Sequence, residues 1–509
     1  MTATAIQPEQ TLNVLRNRRF LALWVAQVVT QVGGNMVLYG LTVQVFGLTR
    51  SSTSVSLLIL SFLVPSVIFG AIAGVYVDRL DRRLILVTTN AIRAALFLVL
   101  LLVMNDIGLI LLLTVVISTL TTFFGPAEAA MIPVVVSRKQ LLAANSLHIF
   151  TLQAAFFLGF ALLGPLVVNL AGQTALLVAV AGSYLVGAVL CWFLPRYNPR
   201  TSTLTRPSQA LGEAAHAIGE AGSAVATTFG QLADGIRFIL ANRTVFWPLT
   251  YLAVTASLIG VLGVLGPGFA TQVLGLSERD FVVVVLPLGL GLVMGIMVLN
   301  LYGRHFSRRR GVEGGLVALG VTLLALSIAQ RLTSSLALGP LISLLSVVIV
   351  VAFAMGIAYA FVAVPAQTQL QEVLPASIRG RVFGVLNMLV SIASFLPIII
   401  VGPIADAVGT SVVVQGAAVV VLLVAAGSVW RAQPSREAVG SGGLVDAADP
   451  VAVTSRSLTQ PVRLRYVDAP QDEVTDIEIA ATPVTPGRPG PAARRPGPAP
   501  RGGPSTPES

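Results

Sequence analysis

Gly74-Val-Tyr-Val-Asp78-Arg79-Leu-Asp81-Arg82-Arg83 lies between two apolar runs, roughly residues 52–77 and 84–104. Five of the six residues from Asp78 to Arg83 are charged, and in hydrocarbon each would cost about 2.5–3.5 kcal/mol. They belong in water, so the two runs must be separate helices joined by a very short turn at a membrane surface. A helix needs roughly 20 apolar residues to cross the hydrocarbon, and each run supplies that length. The excess of Arg places the turn in the cytoplasm. Gly74 is expected to let two helix ends approach closely, and Asp78 to pair with an Arg of its own turn or with a neighbouring helix end.

The same alternation fills most of the chain. Of 509 residues only 11% are charged and 55% are hydrophobic, whereas a soluble protein carries about 25% charged residues. Mean hydropathy is +0.86. Dividing the apolar runs at charges and Gly/Pro clusters gives about twelve spanning helices between Arg19 and Arg431. The first run follows Arg16, Arg18 and Arg19 and is long enough to span, so no cleavable signal peptide is expected. The single cysteine, Cys191 in helix 6, excludes an intramolecular disulfide.

A formal charge of +10 could point to nucleic acid, but its distribution points to topology. Arg and Lys collect at every second connection: Arg79, Arg82 and Arg83; Arg138 and Lys139; Arg196, Arg200, Arg237 and Arg243; Arg304, Arg308, Arg309 and Arg310; Arg379 and Arg381. The intervening connections hold little. That asymmetry places both termini in the cytoplasm. Lys139 is the only lysine and is followed by Gln140, so no Walker A loop exists to hydrolyse ATP. Neither an HExxH zinc motif nor a GxSxG nucleophile motif on a strand-to-helix turn is present, and no enzyme activity, metal or cofactor is expected.

The expected organisation is an all-α membrane protein of twelve transmembrane helices in two pseudo-symmetric six-helix halves. Residues 1–18 form a cytoplasmic N-terminus, 19–196 the first half, 197–244 a cytoplasmic linker with an amphipathic helix, and 245–431 the second half. Residues 432–509, rich in Gly, Pro, Ala and Arg, read as a disordered cytoplasmic tail. The halves echo each other. Phe124-Gly-Pro126-Ala127 answers Val364-Pro365-Ala366, and Gly164-Pro165 answers Gly402-Pro403 at nearly the same offset. In such a two-fold architecture substrate binds at the midplane between halves that rock about it.

These motifs resemble known transporters. Gly74-x3-Asp78-Arg79-x2-Arg82-Arg83 is similar to the signature loop between helices 2 and 3 of the major facilitator superfamily, with Asp81 where the family usually has Gly. Phe124-Gly-Pro-Ala-Glu-Ala-Ala-Met-Ile-Pro133, Leu141-x2-Ala-Asn145-Ser-Leu, Gln231-Leu-Ala-Asp-Gly-Ile-Arg-Phe-Ile and Arg379-Gly-Arg-Val-Phe-Gly resemble the drug:proton antiporter branch that includes macrolide efflux and enterobactin export proteins. The resemblance covers about residues 12–431. It implies proton-driven export of bulky, mostly apolar small molecules by a plasma-membrane protein, read here as a monomer without nucleic-acid partners. Gly74, Asp78, Arg79, Arg82 and Arg83 would then serve conformational switching, and Gly159, Gly164, Pro165, Gly402 and Pro403 helix packing. Three departures concern coupling. Asn35 stands where this branch commonly has an acid, the helix 4 Arg of many drug antiporters is absent, and Val168 replaces a usual glycine.

Ionisable residues inside spans are candidates for function. Glu128, placed about a turn from the inner end of helix 4, and His148 on helix 5 are the proton-coupling candidates and could meet as a coupled pair; headgroup snorkelling by Glu128 and a backbone bond from His148 are the alternatives. Gln27, Gln31, Asn35, Arg93, Asn145 and Gln153 are candidates to line a substrate cavity, with an ion pair between helices the alternative for Arg93. Asp406, near the outer end of helix 11, suits a gate. Two other functions remain open: a lysophospholipid or lipid flippase, and a non-transporting scaffold or sensor acting through its tail.

Overall fold

The computed structural model describes residues 14–196, 243–302, 307–335, 344–373 and 395–430, all within one unit of the chain, Met1–Arg436. Every regular element among them is helical. In chain order they are α1 (Arg18–Thr49), α2 (Ser52–Arg79), α3 (Arg82–Leu102), α4 (Ile107–Val135), α5 (Leu141–Phe156) and α6 (Gly164–Trp192). There follow α7 (Arg243–Gln272), α8 (Val282–Tyr302), α9 (Arg308–Ser335), α10 (Leu344–Val373), α11 (Phe395–Val408) and α12 (Thr410–Trp430). Seven π-helical residues, Phe157–Leu163, join α5 to α6.

Among the described residues, ten helices are long and apolar enough to cross a membrane, and Phe395–Val408 is a shorter apolar helix. One of the ten is the 52-residue run Leu141–Trp192, which breaks at Gly172 with φ 83° and ψ 176°. A side chain would be strained in that conformation, and glycine is not. Contacts with α1 show that the chain reverses there. Before the break, His148 meets Gln27, Gly159 meets Val32 and Asn35, and Gly164 meets Tyr39. After it, Leu176 meets Gly40, Ser183 meets Gly33, and Gly187 meets Thr30. The run therefore climbs beside α1 and descends again.

Short turns with polar caps separate the first four helices. Asn17, Ser51, Asp81 and Asp106 each accept from an amide of the helix that follows, a contribution of about 1 kcal/mol apiece. Asp81, the departure from the family's loop pattern, thus has a local role: its carboxylate holds the Arg83 amide at 3.0 Å and starts α3. Pro65, Pro126, Pro133 and Pro365 lie inside helices, where packed neighbours re-satisfy freed carbonyls. Thus α10 runs unbroken through Pro365 to Val373. Residues 336–343 lie outside the described residues.

Helix packing repeats between halves. In the first, α2 and α3 pack on α4, and α1 and α3 pack on α6. In the second, α8 and α9 pack on α10, and α7 and α9 pack on α12. Each half has its own apolar core, yet Ala270 and Phe281 of the second half are buried in a cluster with Tyr39, Phe46 and Phe160 of the first. The expected linker helix, the tail and the Arg379-Gly380-Arg381 motif lie outside the described residues.

Candidate functional site

Among the described residues Arg93 is the largest fully buried side chain, 2% exposed in the middle of α3. Every face of its guanidinium is engaged. Nη2 donates to Asn90 Oδ1 at 2.7 Å, Nη1 to Thr121 Oγ1 at 3.2 Å, and Nε to the Thr89 carbonyl at 3.2 Å. The Phe124 ring lies 4.5 Å from Cζ and the Tyr184 ring 4.6 Å, so the cation is stacked between α4 and α6. Such desolvated cation–π contacts are worth about 2 kcal/mol. Tyr184 in turn leans on Phe97, with centroids 5.1 Å apart. Asn90 completes the cluster by donating to Cys191 Sγ at 3.9 Å.

Glu128 stands on α4, one turn beyond Phe124. It is 2% exposed, and its Oε1 has no hydrogen-bond partner. Its charge and that of Arg93 act on each other without forming a direct ion pair. A buried carboxyl with an open oxygen beside a held cation can change its charge state at modest geometric cost, because Arg93 is fixed by other partners.

The sequence-predicted residues divide accordingly. Arg93 and Glu128 are brought together. His148 is half-buried; its carbonyl accepts from Gln27 Nε2 at 3.1 Å, and no described hydrogen bond or ion pair joins its ring to Glu128. The expected Glu–His contact is not made, because α4 turns Glu128 toward α3. Glu128 also lies about two turns, not one, from the end of its helix at Val135. Gln27 is buried as a tie between α1 and α5, the Asn35 amide donates to the Gln31 carbonyl of its own helix at 2.8 Å, and Asn145 is exposed. The Gln153, Asp78 and Arg79 side chains lie outside what is described. Arg82 donates to the Ala130 carbonyl at 2.9 Å, and Arg83 lies over Trp192 at 4.8 Å, so both bind the turn to the first half. No described atom lies within 4 Å of a Cβ at Gly74; the close approach expected there is not made with any described residue. Gly159 and Gly402 do permit close approach. A Cβ at Gly159 would come 2.4 Å from the Val32 carbonyl, and one at Gly402 2.7 Å from that of Ser52.

Contacts between halves gather at the end of the bundle that carries Arg50, opposite the Arg79–Arg83 turn. Arg50 pairs with Glu278 at 3.0 Å. The Tyr39 hydroxyl donates to the Arg279 carbonyl, and its ring stacks on Phe281 at 4.8 Å. Asp406 of α11 accepts from Ser51, Ser52 and Thr53. A separate cavity of about 660 Å³ lies between α7, α11 and α12, with Val254, Leu258, Val261, Val401 and Val413 among its walls. Among the described residues no group of three or more His, Cys, Asp or Glu could hold a metal ion.

The sequence matches the family described as Major Facilitator Superfamily over residues 23–396. It is similar to the multidrug efflux pump Tap of Mycolicibacterium fortuitum, 26% identical over 376 residues that cover 70% of this chain and 82% of Tap. It is also similar to the uncharacterized MFS-type transporter YfiS of Bacillus subtilis, 24% identical over 402 residues, 78% of this chain and 89% of YfiS. Among solved structures, the nucleoside transporter NupG superposes with TM-score 0.60 at 12% identity, covering 82% of this chain and 99% of NupG. The POT family transporter PepTSo does so with TM-score 0.54 at 12% identity, covering 84% and 99%.

Proposed function

The chain belongs to the Major Facilitator Superfamily, and from that premise we propose that it is a proton-coupled exporter of apolar small molecules, with Glu128 as the coupling carboxyl. The observation that carries this reading is the buried Glu128 with its open oxygen, set beside an Arg93 whose guanidinium is held by Asn90, Thr121, Phe124 and Tyr184. Protonation of Glu128 removes one charge from the low-dielectric interior and leaves Arg93 uncompensated; loss of the proton restores the balance. A site with two such states can favour different packings of α3, α4 and α6 and so tie proton transfer to the rocking of the halves. Arg93 supplies from α3 the cation that related antiporters carry on α4.

The chain crosses the plasma membrane twelve times in this reading. Leu141–Trp192 counts as two crossings because of its reversal at Gly172, and α11 counts as one. The Arg79–Arg83 turn and both termini face the cytoplasm, and the Arg50 end faces outward. Asp78, Arg79, Arg82 and Arg83 act in switching between states and not in binding cargo. The protein works as a monomer, with the bilayer, protons and cargo as its partners. The multidrug efflux named for Tap supports drugs as cargo.

Dye efflux from cells expressing the protein, with and without a protonophore, tests the reading. Efflux should collapse with the protonophore and in Glu128→Gln. Efflux that survives both overturns proton coupling. The apolar cavity between α7, α11 and α12 favours a second reading, export of lysophospholipid or lipid, which predicts lipid transport indifferent to the protonophore.

A further inference from the structure

Asp406 and the start of α2 belong to different halves, and four hydrogen bonds join them. Oδ1 accepts from the Ser52 amide at 2.7 Å. Oδ2 accepts from the Ser51 hydroxyl at 2.6 Å, the Thr53 amide at 3.0 Å and the Thr53 hydroxyl at 2.6 Å. The first amides of any helix lack intrahelical partners and carry the positive end of the helix dipole. A residue of the same chain segment usually satisfies them, as Ser51 does here for Ser54. The Ser52 and Thr53 amides are instead capped by a carboxylate from the opposite half. That geometry needs α11 to lie almost on α2, which Gly402 allows by having no side chain.

We propose that Asp406 is a positioning residue of the transport cycle, a latch that holds the Arg50 end closed by capping α2 across the two halves. It goes beyond the Glu128 reading and does not depend on it. The bonds lie at the water-exposed rim, so on separation both the carboxylate and the amides exchange partners with water. A contact of that kind can be remade in every cycle, whereas a contact in the dry core could not be broken so cheaply. The neighbouring Arg50–Glu278 pair also spans the halves, but its Arg side chain is 62% exposed, and long exposed pairs contribute little. Asp406 therefore supplies the charged hold at this rim, above the Tyr39 contacts with Arg279 and Phe281.

Ala270 reports on it. This residue is 0% exposed and sits with Tyr39 and Phe46 in the cluster shared between halves. The native Cys191 is also buried. In purified Ala270→Cys protein in lipid nanodiscs, the rate of modification by a charged maleimide measures opening, without cargo or a proton gradient. Adding Asp406→Ala should raise that rate about tenfold, the scale of a lost N-terminal cap. Asp406→Asn and Thr53→Val should raise it less, Asp406→Glu should restore slow labelling, and Arg50→Ala should leave it near the parent value. Should Asp406→Ala fail to fold, Asp406→Asn and Thr53→Val decide. Labelling unchanged in the folded Asp406 variants overturns the latch, as does an equal rise in Arg50→Ala. Failure of the efflux experiment leaves this result untouched, since no transport is measured.

Discussion

Arg93 and Glu128 are both 2% exposed and lie near each other inside the first half, yet they do not form a direct ion pair. Arg93 spends its donors on Asn90, Thr121 and the Thr89 carbonyl, while one Glu128 oxygen goes without a partner. The arrangement separates the tasks: one charge is fixed in place and the other is left able to change.

Glu128→Gln keeps the size of the side chain and removes its titration. Proton-driven efflux should fall at least about tenfold, which corresponds to roughly 1.4 kcal/mol of lost coupling. Dye binding should stay near that of the parent, while thermal stability falls because the buried Arg93 loses its counter-charge. Parallel measurements of efflux rate and dye affinity check this; equal loss of both would assign Glu128 to cargo binding.

Removing the cation should act on stability. Arg93→Ala strips partners from Asn90 and Thr121, opens a cavity between Phe124 and Tyr184, and leaves Glu128 without its counter-charge. A loss on the order of 3–5 kcal/mol is expected from breaking a buried charge network. The double variant Arg93→Ala with Glu128→Gln should recover part of that loss, because no lone carboxylate is left behind. A double-mutant cycle on thermal unfolding in detergent measures the coupling; strictly additive effects would disconnect the two residues.

The helical framework was legible because apolar runs of spanning length and Arg-rich turns are strong signals in a chain with so few charges. So was the internal repeat, which reappears as matched packing of α2 and α3 on α4 and of α8 and α9 on α10. The charged cluster was half legible. Arg93 and Glu128 stand out as ionisable residues in apolar runs, but the adjacency of two antiparallel helices points Glu128 toward His148. The missed signal was local. Asn90 and Arg93 are three apart, and Thr121, Phe124 and Glu128 fall at steps of three and four, which places each set on one helix face. Tyr184 carried no such signal, since its approach depends on how α6 returns after Gly172. Bonds between halves, such as Tyr39 with Arg279, were beyond the sequence, because no pattern within one helix encodes its distant partner.

Gly159 is a position where size alone should decide. A Cβ there would stand 2.4 Å from the Val32 carbonyl and 2.7 Å from the Asn35 Cβ, so α1 and the π-helical segment would have to part. Gly159→Ala should cost about 1–3 kcal/mol, and Gly159→Val more, with transport lost before folding. At Gly125, where a Cβ meets no described atom within 4 Å, the same exchange to Ala should be nearly silent. Comparison of unfolding temperatures and efflux for the two alanine variants tests the contrast.

Acid should reveal the Asp406 latch through the stability it supplies. Asp406 stands on the last turn of α11, and its carboxylate accepts from the hydroxyls of Ser51 and Thr53 and the amides of Ser52 and Thr53. Those four donors bond the ionised carboxylate. Stability of that kind is present at neutral pH and is lost when acid protonates the group. The unfolding temperature of the parent should therefore exceed that of Asp406→Asn at neutral pH, and the two should converge in acid. A margin that persists at the acid end would mean that the latch holds through the shape of the side chain and not through its charge.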